Sequence, residues 1–154
     1  MVNKMLTESY WDGENWLELR KYKCLIKYYL NGKLHRNDGP AFIGFYNDGL
    51  LGLEQYYING LWYRINGPVI IEYHKNGSIK KEKYYFNSKK HRKDGPAEIL
   101  FNNEGDIHFK KYYFNGKEFN PEDLSFELPI DTEEKEFMFK LKNNHCLTKK
   151  NRIR

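Results

Sequence analysis

At 154 residues the chain fits one domain, long enough for a core and short enough that a single extended sheet stays partly exposed. Hydrophobic residues make up 40% and aromatics 17%, with 13 Tyr and 10 Phe, so the apolar content is carried by rings suited to strands rather than by helix-forming Leu and Ala. The formal charge of +5 sits wholly in Lys142, Lys149, Lys150, Arg152 and Arg154, a stretch with no Asp or Glu; residues 1–141 are neutral, which gives no support to a large basic binding face on the body and leaves the tail to touch an acidic partner.

From the N-terminus, Met1 to Glu8 hold no apolar run of signal-peptide length, and nowhere do 18 apolar residues follow one another, so neither export nor a membrane span is expected. Cys24 and Cys146 stand too far apart for a disulfide framework or a zinc spacing, which points to a reducing, intracellular setting. Residues 1–27 hold a degenerate half-unit. Trp16, Leu17, Leu19 and Leu25 keep its apolar character without a Gly-Pro or a turn glycine, and an N-terminal cap is predicted.

From Tyr28 onward one motif recurs every 28 residues without a gap. The copies are YYLNGKLHRNDGPAFIGFYNDGLLGLEQ (28–55), YYINGLWYRINGPVIIEYHKNGSIKKEK (56–83) and YYFNSKKHRKDGPAEILFNNEGDIHFKK (84–111), then a partial YYFNGKEF (112–119). Each full copy repeats an arginine (Arg36, Arg64, Arg92) and a Gly-Pro (Gly39-Pro40, Gly67-Pro68, Gly95-Pro96), read as structural repeat residues. Gly49, Gly77 and Gly105 end short polar clusters between apolar runs, which predicts hairpin tips. Each Gly-Pro, preceded by Asp38, Asn66 or Asp94, marks a strand start. One unit is then a strand near 41–46, a tip, a strand near 50–58, and a connecting loop through Asn-Gly and His-Arg.

Alternation assigns the faces. Ala41, Ile43 and Phe45 with their equivalents are always apolar, and Tyr28, Tyr56, Tyr84 and Tyr112 share that core face. The second tyrosines, Tyr29, Tyr57, Tyr85 and Tyr113, are expected on the opposite, exposed face with Phe42, Tyr46 and Ile70 nearby and Glu54 and Glu82 to one side. The fold class expected is mainly β: an extended antiparallel meander of stacked hairpins, with equivalent residues roughly 9 to 10 Å apart along the sheet. Past the repeats, Asn120-Pro121 and Asp131-Thr132 resemble helix starts, so a short C-terminal helical cap is predicted over 120–148, with a strand as the competing reading because Phe137, Phe139 and Leu141 alternate, followed by a basic tail at 149–154.

The recurring YYxNGKxHRxDGPA unit resembles the MORN class of repeats, in a longer 28-residue variant similar to repeat proteins of giant DNA viruses and of some bacteria of amoebae. That resemblance covers residues 28 to about 124. The classical unit is shorter and richer in Gly and Trp, and here Tyr63 replaces the histidine and Ser88 a turn glycine. It implies a hairpin-stacked sheet and roles in scaffolding, self-association or attachment near membranes, within the cytoplasm of the producing or host cell or in a virion.

His35, Arg36 and Asp38, with His91, Arg92 and Asp94, are the constellations nearest to an acid–base site. They recur once per structural unit, so arginine paired with aspartate and histidine packed in the loop is the simpler reading. No Walker loop, GxSxG, HExxH or CxxC occurs. The expectation is a non-enzymatic scaffold without cofactor, metal site or small-molecule substrate, binding a protein partner or itself through the tyrosine face. The alternative is nucleic-acid or membrane-surface binding through the tyrosines and the basic tail.

Overall fold

A computed structural model describes residues 6–22 and 24–121. Among these, β1 (Leu6–Trp11) and β2 (Trp16–Tyr22) form a hairpin, β3 (Leu25–Leu30) joins it, and β4 (Lys33–Leu34) folds back on the end of β3. The next unit holds β5 (Phe42–Phe45) and β6 (Leu51–Gln55), with a short pair, β7 (Tyr57–Ile58) and β8 (Leu61–Trp62). It is followed by β9 (Ile70–Tyr73) and β10 (Ile79–Lys83), with β11 (Tyr85–Phe86) and β12 (Lys89–Lys90). The last is β13 (Glu98–Phe101) and β14 (Ile107–Phe114), whose end pairs with β15 (Lys117–Phe119).

The result is an antiparallel meander: sheet order runs β1-β2-β3-β5-β6-β9-β10-β13-β14-β15 with β4 beside β3, and β7–β8 and β11–β12 are separate ribbons. Register repeats with the sequence period, since Lys27 faces Phe42, Gln55 faces Ile70 and Lys83 faces Glu98. Eight interstrand steps from β1 to β14 make the row roughly 38 Å across. No helix occurs among the described residues, and the helical cap expected over 120–148 and the basic tail lie, beyond Pro121, outside them.

The predicted tips are present. At each, a four-residue turn closes with the glycine N–H donating to a carbonyl three residues back, as from Gly49 to Tyr46 at 2.9 Å, and the glycine takes φ of 88°, 85° or 93°. The connection through Asn-Gly is more than the loop expected. Asn59 and Gly60, at φ 52° and 82°, make the paired left-handed turn that matches strand twist, so a second, smaller hairpin forms in each unit. These small hairpins bond to their neighbours: Arg36 N–H donates to the Tyr57 carbonyl and Gly60 N–H to the Leu34 carbonyl, at 3.1 and 2.8 Å. Arg92 with Tyr113 and Gly116 with Lys90 repeat the pattern at 3.1 and 2.8 Å.

Ser88 takes φ 61° where the other copies carry Gly32, Gly60 and Gly116. Relief of left-handed strain outweighs the extra unfolded-state freedom of glycine, so Ser88→Gly is expected to stabilise by about 0.5 kcal/mol. A urea midpoint that falls in this variant contradicts that reading of the turn.

The N-terminal half-unit is itself a hairpin, and the expected lack of a turn glycine is corrected. Gly13 at φ 93° follows Asp12, whose carboxylate accepts the Glu14 and Asn15 N–H groups at 3.0 and 2.7 Å. Trp11 and Trp16 face each other across this turn with ring centroids 5.5 Å apart. The core beside it joins Leu17, Leu19 and Tyr28 to Tyr10, Ile26, Leu30 and Ile43. Further along, Ala41, Val69 and Ala97 are almost fully buried, with Ile58, Ile71, Ile99 and Phe114 close behind.

Candidate functional site

The residues that recur form one packed cassette. In each full unit the arginine guanidinium lies over the first tyrosine ring, Arg36 on Tyr28 at 4.2 Å, Arg64 on Tyr56 at 3.9 Å and Arg92 on Tyr84 at 4.0 Å. On its other side is the glycine, where a Cβ would stand 2.9 Å from Arg36, 3.0 Å from Arg64 or 3.2 Å from Arg92. Nη1 donates to the proline carbonyl, Pro40 at 3.4 Å, Pro68 at 3.1 Å and Pro96 at 3.4 Å. The ring, the bare glycine and the proline carbonyl therefore specify one another.

Arg36 also pairs with Asp38 at 2.6 Å and Arg92 with Asp94 at 3.0 Å. The first pair is closed by the N-terminal hairpin, because Tyr10 Oη donates to Asp38 and receives a bond from Arg36 Nη2 at 3.1 Å. The histidines turn elsewhere. His35, 1% exposed, accepts the Asn59 N–H on Nδ1 at 3.1 Å, and its Nε2 lies 3.8 Å from the Asp12 carboxylate. His91 accepts the Asn115 N–H at 3.1 Å. Each histidine seats the next small hairpin, so His, Arg and Asp are not gathered at one open surface where acid–base chemistry would need them.

Carboxylates in these contacts make stability depend on acid. Burial pushes Asp38 up, but the Tyr10 hydroxyl and Arg36 outweigh it and hold it below the usual carboxylate range. Glu98 behaves alike, with burial opposed by Lys90 and Lys81. Asp94 is lowered by its bond from Arg92. Groups depressed on folding bind more protons when unfolded, so their stabilisation is present above the unfolded pKa and is lost as pH falls through the folded one. The urea midpoint is expected to fall between about pH 6 and about pH 3, less steeply in Asp38→Asn; a midpoint flat with pH contradicts it.

The second tyrosines stand in a row along the small hairpins, and they are half-buried rather than openly exposed. Position 34 and its equivalents interleave with them by pairing: Tyr29 with Leu34, Tyr57 with Trp62, Tyr85 with Lys90, Tyr113 with Glu118. Trp62 bridges two units, with its ring centroid 6.1 Å from Tyr57 and 4.7 Å from Tyr85. Lys90 lies over Tyr113 at 4.6 Å and Arg20 over Tyr29 at 4.5 Å. Burial raises the hydroxyl pKa of both Tyr57 and Tyr85, so these two rings stay uncharged at neutral pH.

The other residues expected near this face differ from that expectation in exposure, although Phe42 and Ile70 keep its side through the pairs Lys27–Phe42 and Gln55–Ile70. Ile70 is buried at 6%, the middle one of three successive buried residues, Val69, Ile70 and Ile71, at the start of β9. Phe42 is half-buried under Lys27 at 5.2 Å, and Tyr46 donates to the Tyr73 carbonyl at 2.6 Å, locking adjacent tips. Glu54 and Glu82 belong to the opposite face: Tyr56 and Tyr73 donate to Glu54 at 3.4 and 2.9 Å, and Tyr84 to Glu82 at 3.2 Å. Of the core-face tyrosines, Tyr28 is buried and Tyr56, Tyr84 and Tyr112 are half-buried. Trp62 was not expected in the row; its signal was its place opposite Tyr57 across the Asn-Gly turn.

No group of His, Cys, Asp and Glu among the described residues has the arrangement to hold a metal ion, and no helix among them is long and apolar enough to cross a membrane. The chain matches no protein-family model, no curated protein and no solved structure.

Proposed function

We propose that the chain is a MORN-like, non-enzymatic repeat scaffold that mediates protein–protein interaction and associates with itself through the tyrosine row. The observation that carries this is the continuous aromatic contact from Tyr57 through Trp62 to Tyr85, spanning the small hairpins of two successive units. Rings already fixed on one side by their neighbours lose little further freedom when a partner covers the other, and Trp and Tyr contribute large contact areas. The setting proposed is intracellular, in keeping with Cys24 as a free thiol.

Sedimentation equilibrium of the intact chain from about 1 to about 100 μM tests it. A dimer mass whose population changes little between low and high salt is expected, because the contact is aromatic rather than ionic. A monomer mass over the whole range overturns self-association.

A further inference from the structure

The middle unit departs from its neighbours at one place. Its loop carries Leu61, Tyr63, Ile65 and Asn66 where the first unit has Lys33, His35, Asn37 and Asp38, and the third has Lys89, His91, Lys93 and Asp94. Three of the four changes remove a charge or a polar group, and the fourth exchanges an imidazole for a phenol. Leu61 and Ile65 are nevertheless 44% and 66% exposed, so no core demands them.

Between them in the chain, Arg64 keeps the ring of Tyr56 and the carbonyl of Pro68, but the carboxylate that pairs with Arg36 and Arg92 has no counterpart at Asn66. Asn66 is also left-handed, at φ 56°, unlike Asp38 and Asp94. An arginine has five N–H donors in a planar fork, and one bond to Pro68 leaves a carboxylate-binding edge unused. Glu54, beside Tyr56, is occupied by the hydroxyls of Tyr56 and Tyr73.

We infer that the 61–66 loop of the middle unit docks an acidic segment of a partner protein, one carboxylate pairing with Arg64 and flanking aliphatic side chains covering Leu61 and Ile65. Charge complementarity selects this occupant. A nucleic acid would draw on the lysines found in the loops on either side, and this loop has lost them. Within the loop only Trp62 belongs to the tyrosine row; Leu61 pairs with Ile58 and Arg64 stacks on Tyr56, whose hydroxyl bonds to Glu54 on the side of the strand opposite Tyr57 and Gln55. Loss of self-association therefore leaves it standing.

The test uses the full chain and a fluorescent, acetylated Leu-Asp-Leu-Asp-Leu amide peptide, read by anisotropy and by backbone amide shifts. Asn66→Asp places a carboxylate two residues from Arg64, the spacing of Arg36–Asp38 and Arg92–Asp94, on a left-handed backbone that Asp tolerates, and Ile65→Asn takes the residue of the first unit. The peptide is expected to shift amides of the 61–67 loop and to bind about tenfold more weakly to each variant, while neither variant melts at a lower temperature. Tyr57→Ser is expected to leave peptide binding unchanged. Undiminished binding to both variants, absence of binding to the intact chain, or preferential capture of a short oligothymidylate at this loop overturns the inference.

Discussion

Replacing Arg36 with alanine is expected to lower the unfolding free energy by about 3 kcal/mol, the largest loss among the three equivalent arginines. Its guanidinium lies over two rings, Tyr28 at 4.2 Å and Tyr10 at 4.8 Å, pairs with Asp38 and bonds to Tyr10 Oη. Truncation takes from Asp38 its cationic partner and removes one of the ties between the first unit and the N-terminal hairpin, the Tyr10–Asp38 and Asn37–Asp12 bonds remaining. Arg92 keeps one ring and one carboxylate, the latter on an 83% exposed side chain, which solvent weakens. Arg64 keeps a ring and a carbonyl only. Urea unfolding is expected to rank the losses Arg36, then Arg92, then Arg64. Equal losses at the three sites would mean that the ring stack alone carries the cassette and that the ion pairs add nothing.

The second large effect concerns association. Tyr57→Ser combined with Tyr85→Ser removes the two rings on either side of Trp62 and is expected to weaken the proposed self-association about 100-fold. Both rings sit on two-residue strands at the margin of the main sheet, while the buried set of Ile58, Val69, Ile71 and Ile99 is left in place. The doubly substituted chain is therefore expected to fold, with an unchanged β spectrum.

The main sheet was legible in the sequence because its signals are local and repeated. A glycine that must turn left-handed after a polar cluster marks each tip, and the Gly-Pro marks each strand start, where Ala41, Val69 or Ala97 is almost fully buried. The row of second tyrosines was legible as a row, but its half-burial was not. That follows from the small hairpins, which bring Trp62 and Lys90 against the rings of the following unit, a contact between residues 23 positions apart that no local period encodes.

Ile70 misled for a related reason. Alternation treats a strand as having one buried face, whereas β9 is covered on both, so a period-two pattern carries no information there. Glu54 and Glu82 lie on the face with the apolar residues because tyrosine hydroxyls two residues on satisfy them, an arrangement hydropathy scores as outward-facing. The equivalence of 34, 62, 90 and 118 was present in the alignment of copies. Those residues are Leu, Trp, Lys and Glu, and chemical variety hid a position that is constant in geometry.

Solution mass by light scattering, on the intact chain and on the Tyr57→Ser/Tyr85→Ser chain at matched concentrations, tests the scaffold reading most directly. A dimer for the intact chain and a folded monomer for the substituted one is the predicted result. An intact chain that stays monomeric, or a dimer that survives loss of both tyrosines, contradicts it.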